Sequence, residues 1–260
     1  GDLPTDFTHL VHFAAWQGPA PDYDRAIRAN AEATGLLMAH CRNAEAALIA
    51  STNTVYRPHD DPWHAYLETD PLGDPTAPHS PTYAISKVGQ EAVARTMARA
   101  LGLPTTIARI NASYGPNGGL PAYHCDAIAA GRVVPLRSPD QSPYSPIHEE
   151  DLAKQVAPLL DAAAAPATIV NWCGDETVTA EQWCALFGEH LGLEPELSYY
   201  DLPGSQPGSA ADPTRRRSLT GLCTVAWRDG MSAMLDQRTG PDTVIRPTAP
   251  TNRRKRPPSN

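Results

Sequence analysis

The sequence predicts an α/β fold in which helices cover a parallel β-sheet. Short apolar runs bounded by turn-forming residues alternate with longer helical stretches along most of the chain. This order is typical of parallel strands that are joined by helices. The chain has 260 residues, of which 41% are hydrophobic and 19% charged, so it can bury a full core as one large domain.

Four apolar runs have the length and composition of buried strands. They are residues 9–15, 46–51, 105–110 and 167–172. A VVPL run at residues 133–136 predicts a further short strand.

The first helix is predicted from about residue 22 to residue 41, because apolar and small side chains recur there at helical spacing. The residues on this face are Ile27, Ala31, Thr34, Met38 and Cys41. The next helix is predicted to start at Ser80, an N-cap residue followed by Pro81 at the first helical position. It should end at Gly102, since glycine commonly terminates helices.

Three more helices are predicted in the second half of the chain. A short one ends near Ala130, and a longer one covers about residues 149–163. Thr179 and Gln182 have the spacing of a capping box, which predicts a helix from there to Leu191.

Charge and composition exclude several classes of protein. The net charge is −8, although the last twenty residues carry a local excess of positive charge, and a body this acidic disfavours a nucleic-acid surface. Five scattered cysteines, none in a CxxC pair, indicate reduced thiols in a cytoplasmic protein. No segment has the length and apolar content of a membrane helix. Residues 241–260 are predicted to be a disordered basic tail.

Tyr83 and Lys87 have the spacing of a proton-transfer pair. Residues four apart share one face of a helix, so the Lys87 ammonium is expected to lie near the Tyr83 phenol and lower its pKa. The alternative for the isolated motif is a lysine whose stem packs beside a half-buried tyrosine while its charge reaches solvent. For Thr52 the alternative is a strand-end threonine that caps a turn.

Several motifs in the correct order resemble the extended short-chain dehydrogenase/reductase family, the NAD-dependent epimerase/dehydratase group. They are VHFAA, the helix containing Asn30, STNTVY at 51–56, YAISK at 83–87, ARINASYGP at 108–116, IHEEDLA at 147–153 and NWCGDETVT at 171–179. The resemblance spans roughly residues 8–235. It implies a doubly wound, Rossmann-like sheet in residues 1–240, with a smaller C-terminal substrate lobe mainly from about 112–145 and 172–240.

The resemblance implies roles for residues of these motifs. Tyr83 is the catalytic acid/base, Lys87 its pKa partner and a donor to the nicotinamide ribose, and Thr52 holds the reacting oxygen. The resemblance also implies contacts with the cofactor, NAD or NADP. The residues expected to make them are Phe13, Ala14, Ala15, Asn30, Tyr83, Lys87, Ile110 and Asn111.

The glycine-rich phosphate-binding turn with which the family opens is not found in this sequence, and the first strand corresponds to the family's fourth. The chain is therefore expected to lack about two N-terminal β-α units, and NAD and NADP cannot be told apart. Two hypotheses follow. One is an NAD(P)-dependent oxidoreductase or epimerase acting on a secondary alcohol or ketone, which retention of Thr52, Tyr83 and Lys87 favours. The other is a non-catalytic remnant, a binding or dimerisation module, which the missing turn favours.

Departures from the family pattern bear on the substrate. Nucleotide-sugar members carry an asparagine and an arginine at the positions of Ala112 and Tyr144, and a phenol cannot replace the charge of an arginine at a diphosphate. A nucleotide-sugar substrate is thereby weakened, although Asn111 and Arg137 lie near enough in sequence to compensate. The residues expected to contact a small-molecule substrate are Asn53, Trp63, Asn111 and Tyr144.

The remaining expectations concern metals and partners. His9 and His12 lie three apart on a strand and face opposite sides, so no metal site is predicted. The resemblance implies a homodimer formed through the helices at about 22–41 and 82–101. Neither a nucleic acid nor a membrane is expected as a partner.

Overall fold

A computed structural model describes residues 4–137, 141–200 and 202–239. Its centre is a sheet of four parallel strands. They are β1 (His9–His12), β2 (Ala46–Thr52), β3 (Thr105–Ile110) and β9 (Thr168–Trp172), in the spatial order β1-β2-β3-β9. The α/β fold with a parallel sheet is confirmed.

Helices cover both faces of this sheet. One face carries α1 (Tyr23–Ile27), a π-helical turn (Arg28–Glu32), α2 (Ala33–His40) and α3 (Tyr83–Leu101). The other carries α5 (Glu149–Asp161) and α7 (Thr214–Thr220).

Alternate residues of β2 enter different cores because side chains alternate across a strand. Ala47 and Ile49 pack with Met38 under α2 and α3. Leu48 packs with Leu159 under α5. Strand β2 is buried along its whole length, which explains its continuous apolar run.

The first predicted helix forms, but the π-helical turn divides it. A π turn adds a residue to the helical repeat and rotates the residues on either side relative to one another. Ile27 is consequently 40% exposed, whereas Ala26 and Asn30 are fully buried. Ile27 was predicted to share one helix face with Ala31, Thr34, Met38 and Cys41, but those four residues are buried and Ile27 is not.

The second predicted helix begins later than expected. Its N-cap is Thr82, and Ser80 belongs to the preceding turn, where its carbonyl accepts from the Tyr83 backbone N–H. The helix ends at Gly102 with φ 64°, as the sequence predicts.

Most of the remaining elements lie around a second core that contains Trp183 and Phe187. They are β4 (Ser113–Gly115), β5 (Gly118–Gly119), α4 (Leu120–Ala129), β6 (Val134–Arg137), β7 (Pro143–Tyr144), β10 (Val178–Thr179), α6 (Ala180–Leu191), β11 (Leu197–Tyr200) and α8 (Trp227–Thr239). Strand β8 (Ile147–His148) pairs with β4, and its Ile147 packs in the core under α5. The capping box at Thr179 and Gln182 is present, as predicted.

All five cysteines are free. Among the described residues no helix is long and apolar enough to cross a membrane, and no group of three metal-ligating side chains comes together. The tail at residues 241–260 lies outside the described residues.

Candidate functional site

A cleft of about 190 Å³ opens where β2 and β3 end. Ligands of parallel α/β sheets generally bind beyond the carboxyl ends of the strands. The residues that line the cleft are Phe13, Ala15, Ala50, Ser51, Thr52, Tyr83, Lys87, Ile110, Asn111 and Ser113. The three predicted catalytic residues therefore face one cavity.

Helix α3 brings Tyr83 and Lys87 to this cleft on one face. Lys87 is only 2% exposed, and its ammonium donates a hydrogen bond of 2.8 Å to the backbone carbonyl of Ala50. An ammonium has three N–H donors. This is its one hydrogen bond to another described residue, so donors are left for a ligand in the cleft.

Thr52 ends β2 and reaches both Tyr83 and the following turn. Its hydroxyl accepts from the backbone N–H of Thr54 at 3.2 Å, which caps a 3₁₀ turn at residues 53–55. The same hydroxyl lies 3.1 Å from the Thr54 hydroxyl, and it opposes the rise in the pKa of the Tyr83 phenol. The alternative of a turn-capping threonine and the role at the cleft are thus both compatible with the geometry.

Burial disfavours the charged forms of both Tyr83 and Lys87. It raises the pKa of Tyr83, and the hydrogen bond from Thr52 acts in the opposite direction. It lowers the pKa of Lys87 to about 8, against an opposing effect of the Glu91 carboxylate. The expectation that Lys87 lowers the pKa of Tyr83 is not met here, because desolvation is the dominant cause.

The predicted cofactor residues at the end of β1 divide into two groups. Phe13 and Ala15 line the cleft, whereas Ala14 does not. Asn30 is fully buried beside it, where it holds the backbone of Trp16 through two hydrogen bonds of 2.7 and 2.9 Å and donates to the Ser86 hydroxyl at 2.8 Å. Asn30 therefore supports the segment that lines the cleft.

Ile110, the last residue of β3, and Asn111 after it lie in the cleft wall. The Asn111 amide is already engaged: it donates to the Ser209 carbonyl at 2.6 Å and accepts from the backbone N–H groups of Ala112 and Ser145. Its side chain thus joins the sheet to the segment at residues 202–212.

The other predicted substrate residues do not line the cleft. Asn53 donates to the carbonyl and hydroxyl oxygens of Ser209 at 3.0 Å each. Trp63 is 47% exposed. Tyr144 pairs with Val178 across two short strands and places its ring 5.3 Å from Trp183. Their roles at a substrate remain predictions.

Sequence reasoning missed a buried ion pair behind the cleft. Glu91 and Arg109 are 1% and 2% exposed and are joined by two hydrogen bonds. The available signal was the position of Glu91, one helical turn after Lys87 on the same face.

A second cavity, of about 250 Å³, lies between α5 and residues 223–227. Two of its carboxylates are satisfied within the protein. Asp151 accepts from the backbone of Thr224 and Val225, and Asp175 accepts from Arg216 and Arg217. None of the predicted site residues lines this cavity.

The NAD dependent epimerase/dehydratase family model matches residues 3–171. A search of curated proteins finds no match. The fold is similar to Thermus thermophilus UDP-glucose 4-epimerase in complex with NAD, at 22% identity and a TM-score of 0.74, covering 90% of this chain and 78% of that one.

It is also similar to Bacillus cereus UDP-glucuronic acid 4-epimerase in complex with UDP-glucuronic acid and NAD, at 19% identity, a TM-score of 0.75 and coverage of 90% and 76%. A third similar structure is a double mutant of the Streptomyces venezuelae dTDP-glucose 4,6-dehydratase DesIV, at 23% identity, a TM-score of 0.73 and coverage of 90% and 74%. The motifs, the fold and the family match agree, and the chain belongs to the NAD dependent epimerase/dehydratase family.

Proposed function

We propose that this protein is an NAD-dependent oxidoreductase or epimerase that acts on a secondary alcohol or ketone. The observation that carries the proposal is that Thr52, Tyr83 and Lys87 line one cleft at the carboxyl ends of the strands. A proton-transfer group, a cation and an oriented hydroxyl are the groups that reversible oxidation of a carbinol requires.

The cleft fits the nicotinamide end of such a cofactor. Ala15 and the backbone of Ala50 leave room near the strand ends, and the buried Lys87 ammonium has donors available for ribose hydroxyls. NAD is proposed because NAD is the cofactor named for the similar structures described above. When bound, NAD supplies the hydride acceptor or donor.

Each of the three side chains has a proposed task. Thr52 donates a hydrogen bond to the reacting oxygen and fixes its position. Tyr83 takes the proton from that oxygen or returns it. Lys87 binds the ribose hydroxyls of the cofactor through the N–H donors that its hydrogen bond to Ala50 leaves free. Proton transfer by a positioned group typically contributes about 10²- to 10⁴-fold in rate.

The substrate class rests on the lining of the cleft and its surroundings. The similar structures are enzymes named for nucleotide sugars. In this chain Ala112 stands where nucleotide-sugar members carry an asparagine, and Tyr144 stands where they carry the arginine that binds the diphosphate. One guanidinium nitrogen of Arg137 donates to the Gln206 carbonyl. We therefore propose a secondary alcohol or ketone as the substrate class.

The proposal includes a homodimer in the cytoplasm. The outer surface of α1 and α2 carries exposed apolar side chains that a second copy would cover. They are Tyr23, Ile27, Leu36 and Leu37. Five free cysteines fit a reducing compartment.

Titration of the purified chain with NADH and with NADPH, followed by nucleotide fluorescence, tests the proposal. Saturable binding of NADH is expected, and it should weaken in Lys87→Met. The matched control is Lys154→Met, because the Lys154 side chain is 56% exposed and pairs with Glu150 on the surface. Absence of binding by either nucleotide would leave the binding-module hypothesis in place of the enzyme.

A further inference from the structure

Glu91 lies at the centre of a buried polar cluster behind the cleft. Arg109 donates to its two carboxylate oxygens, from Nε at 2.9 Å and from Nη2 at 2.8 Å. The Ser51 hydroxyl donates to Oε1 at 2.6 Å. A bidentate arginine and a hydroxyl together fix the carboxylate in one orientation.

This cluster attaches helix α3 to strand β2 at two consecutive residues. Lys87 donates to the backbone carbonyl of Ala50, and Glu91, one turn later, accepts from the side chain of Ser51. The helix cannot slide along the strand without breaking both contacts. The next residue of the strand is Thr52, so these contacts set the position of Tyr83 relative to Thr52.

Arg109 extends the cluster to the loop that precedes α3. Its guanidinium lies over the Tyr56 ring, 4.7 Å from the centroid, and Nη1 donates to the Glu68 carbonyl at 3.1 Å. The contacts of Arg109 therefore join strand β3 to helix α3 and to this loop, with Glu91 at the centre.

The charges of the cluster do not cancel. Lys87 and Arg109 are cations, and Glu91 is the carboxylate that acts on Lys87 and opposes the effect of its burial. The other titratable groups near Lys87 are His12 on β1 and Tyr83 on the same helix as Lys87. Burial and the charge of Lys87 both lower the pKa of His12. Neither His12 nor Tyr83 is an anion in its ordinary state at neutral pH.

We propose that Glu91 is a positioning residue of the candidate active site: it locks α3 to β2 so that Tyr83 and Lys87 stay opposed to Thr52, and it is the buried negative charge that accompanies the Lys87 ammonium. This inference rests on the proposed function. A buried ion pair contributes little net stability relative to apolar residues of the same size. Stability alone therefore does not account for the arrangement.

The lysine content of the chain allows a direct test on the whole chain. There are three lysines, Lys87, Lys154 and Lys255, so an NMR titration with ¹³C,¹⁵N-lysine resolves the Lys87 side chain once Lys87→Met assigns it. The test variant is Glu91→Gln/Arg109→Met, which removes both charges and leaves neither one buried alone. We expect the midpoint of the Lys87 titration to move to lower pH than in the wild type.

The matched control is Asp126→Asn/Arg238→Met. Arg238 and Asp126 form another bidentate ion pair, with side chains 15% and 13% exposed, but it joins α8 to α4 in the second core. Its removal should destabilise the protein and leave the Lys87 midpoint unchanged. A midpoint that is the same in wild type and Glu91→Gln/Arg109→Met overturns the inference.

If Glu91→Gln/Arg109→Met does not fold, two milder variants test the role of Glu91. Ser51→Ala removes one hydroxyl that Glu91 accepts from, and should shift the resonance of the Lys87 side chain. Thr106→Val removes a buried hydroxyl bonded to Leu159 on the opposite face of β3, and should not. An unchanged Lys87 resonance in Ser51→Ala contradicts the inference.

These measurements need no ligand and no turnover. If the Lys87 midpoint shifts as expected but the chain binds no NADH, the proposed function fails and the coupling between Glu91 and Lys87 stands. If NADH binds and the midpoint does not move, the positioning role fails alone.

Discussion

Tyr83 and Lys87 illustrate how burial and charge oppose one another at the scale of single residues. Desolvation raises the pKa of the phenol and lowers that of the ammonium, so both side chains are shifted towards their neutral forms. The hydrogen bond from Thr52 and the charge of Glu91 act in the opposite direction. The proposed chemistry depends on this balance.

Replacing Tyr83 by Phe removes the proposed proton-transfer group and keeps the ring. Turnover should fall by about a hundredfold or more, while NADH binding is retained. The measurement is NADH oxidation with a ketone that the wild type accepts. Tyr123→Phe, at a tyrosine that is 50% exposed, serves as the control. A Tyr83→Phe variant with nearly normal turnover would show that the phenol is not the acid/base.

Replacing Lys87 by Met should stabilise the protein near neutral pH. The pKa of Lys87 is about 8 in the folded protein against 10.5 for an ordinary lysine, so below pH 8 the folded chain carries the cost of a buried ammonium. The unfolded chain keeps its proton up to higher pH, and the stability of the wild type therefore rises between pH 8 and 10.5.

The variant should be more stable than wild type by about 2 kcal/mol at pH 7, after allowance for the lost hydrogen bond to Ala50. This advantage should disappear as the pH approaches 10.5. Urea unfolding at pH 7 and pH 10 measures it. A wild type that is the more stable of the two at pH 7 would show that burial does not lower the pKa of Lys87.

At the scale of elements, the shape of the cleft depends on close contacts between helices and loops. Gly35 permits α2 to approach α3, because a Cβ there would lie 2.9 Å from the Val93 side chain. The π-helical turn between α1 and α2 presents Asn30 to the interior, where it bonds the backbone of Trp16 and the hydroxyl of Ser86. One side chain therefore holds the loop after β1 against α3.

Asn30→Ala should leave the Trp16 backbone groups without partners. The expected loss is about 2 kcal/mol in the free energy of unfolding, together with weaker NADH binding, since the loop that contains Phe13 and Ala15 is no longer held. Urea unfolding and the fluorescence titration measure the two effects. Asn117→Ala is the control, because Asn117 is exposed and its hydrogen bonds to Glu149 are long, at 3.3 and 3.4 Å. Equal stability of the two variants would contradict the role of Asn30.

At the scale of the whole molecule, the sheet and the second core meet through the segment at residues 202–212. Asn53 and Asn111, at the ends of β2 and β3, both donate to the Ser209 carbonyl. Ser209 in turn donates its backbone N–H to the Pro143 carbonyl at 2.8 Å. The segment thus joins the ends of β2 and β3, next to the cleft, to strand β7.

The proposed homodimer gives a prediction at this scale. Leu36→Glu places a charge on the exposed surface of α2 and should convert a dimer into a monomer, as measured by sedimentation velocity. Leu222→Glu is the control, because Leu222 is similarly exposed, 68% against 72%, but lies between α7 and α8. A wild type that sediments as a monomer at micromolar concentration would refute the dimer.

Local pattern was sufficient to predict much of this protein from its sequence. The apolar run of β2, the capping box at Thr179 and Gln182 and the glycine that ends α3 each depend on neighbouring residues. That Tyr83 and Lys87 reach the cleft on one face of α3 follows from helical periodicity, and the ordered motifs identify the family. These signals are short-range, and a sequence records short-range relations directly.

The positions and hydrogen-bond partners of the buried polar side chains are decided by tertiary packing alone. The hydrogen-bond partners of Asn111 and Asn53 lie in a segment about a hundred or more residues away in sequence. Arg109 on β3 pairs with Glu91 on α3, which lies 18 residues earlier in the chain. No local pattern encodes such distances. The π-helical turn, the buried position of Asn30 and the direction of the pKa shift of Tyr83 likewise depend on what surrounds each group, because burial and hydrogen bonding are properties of the packed molecule.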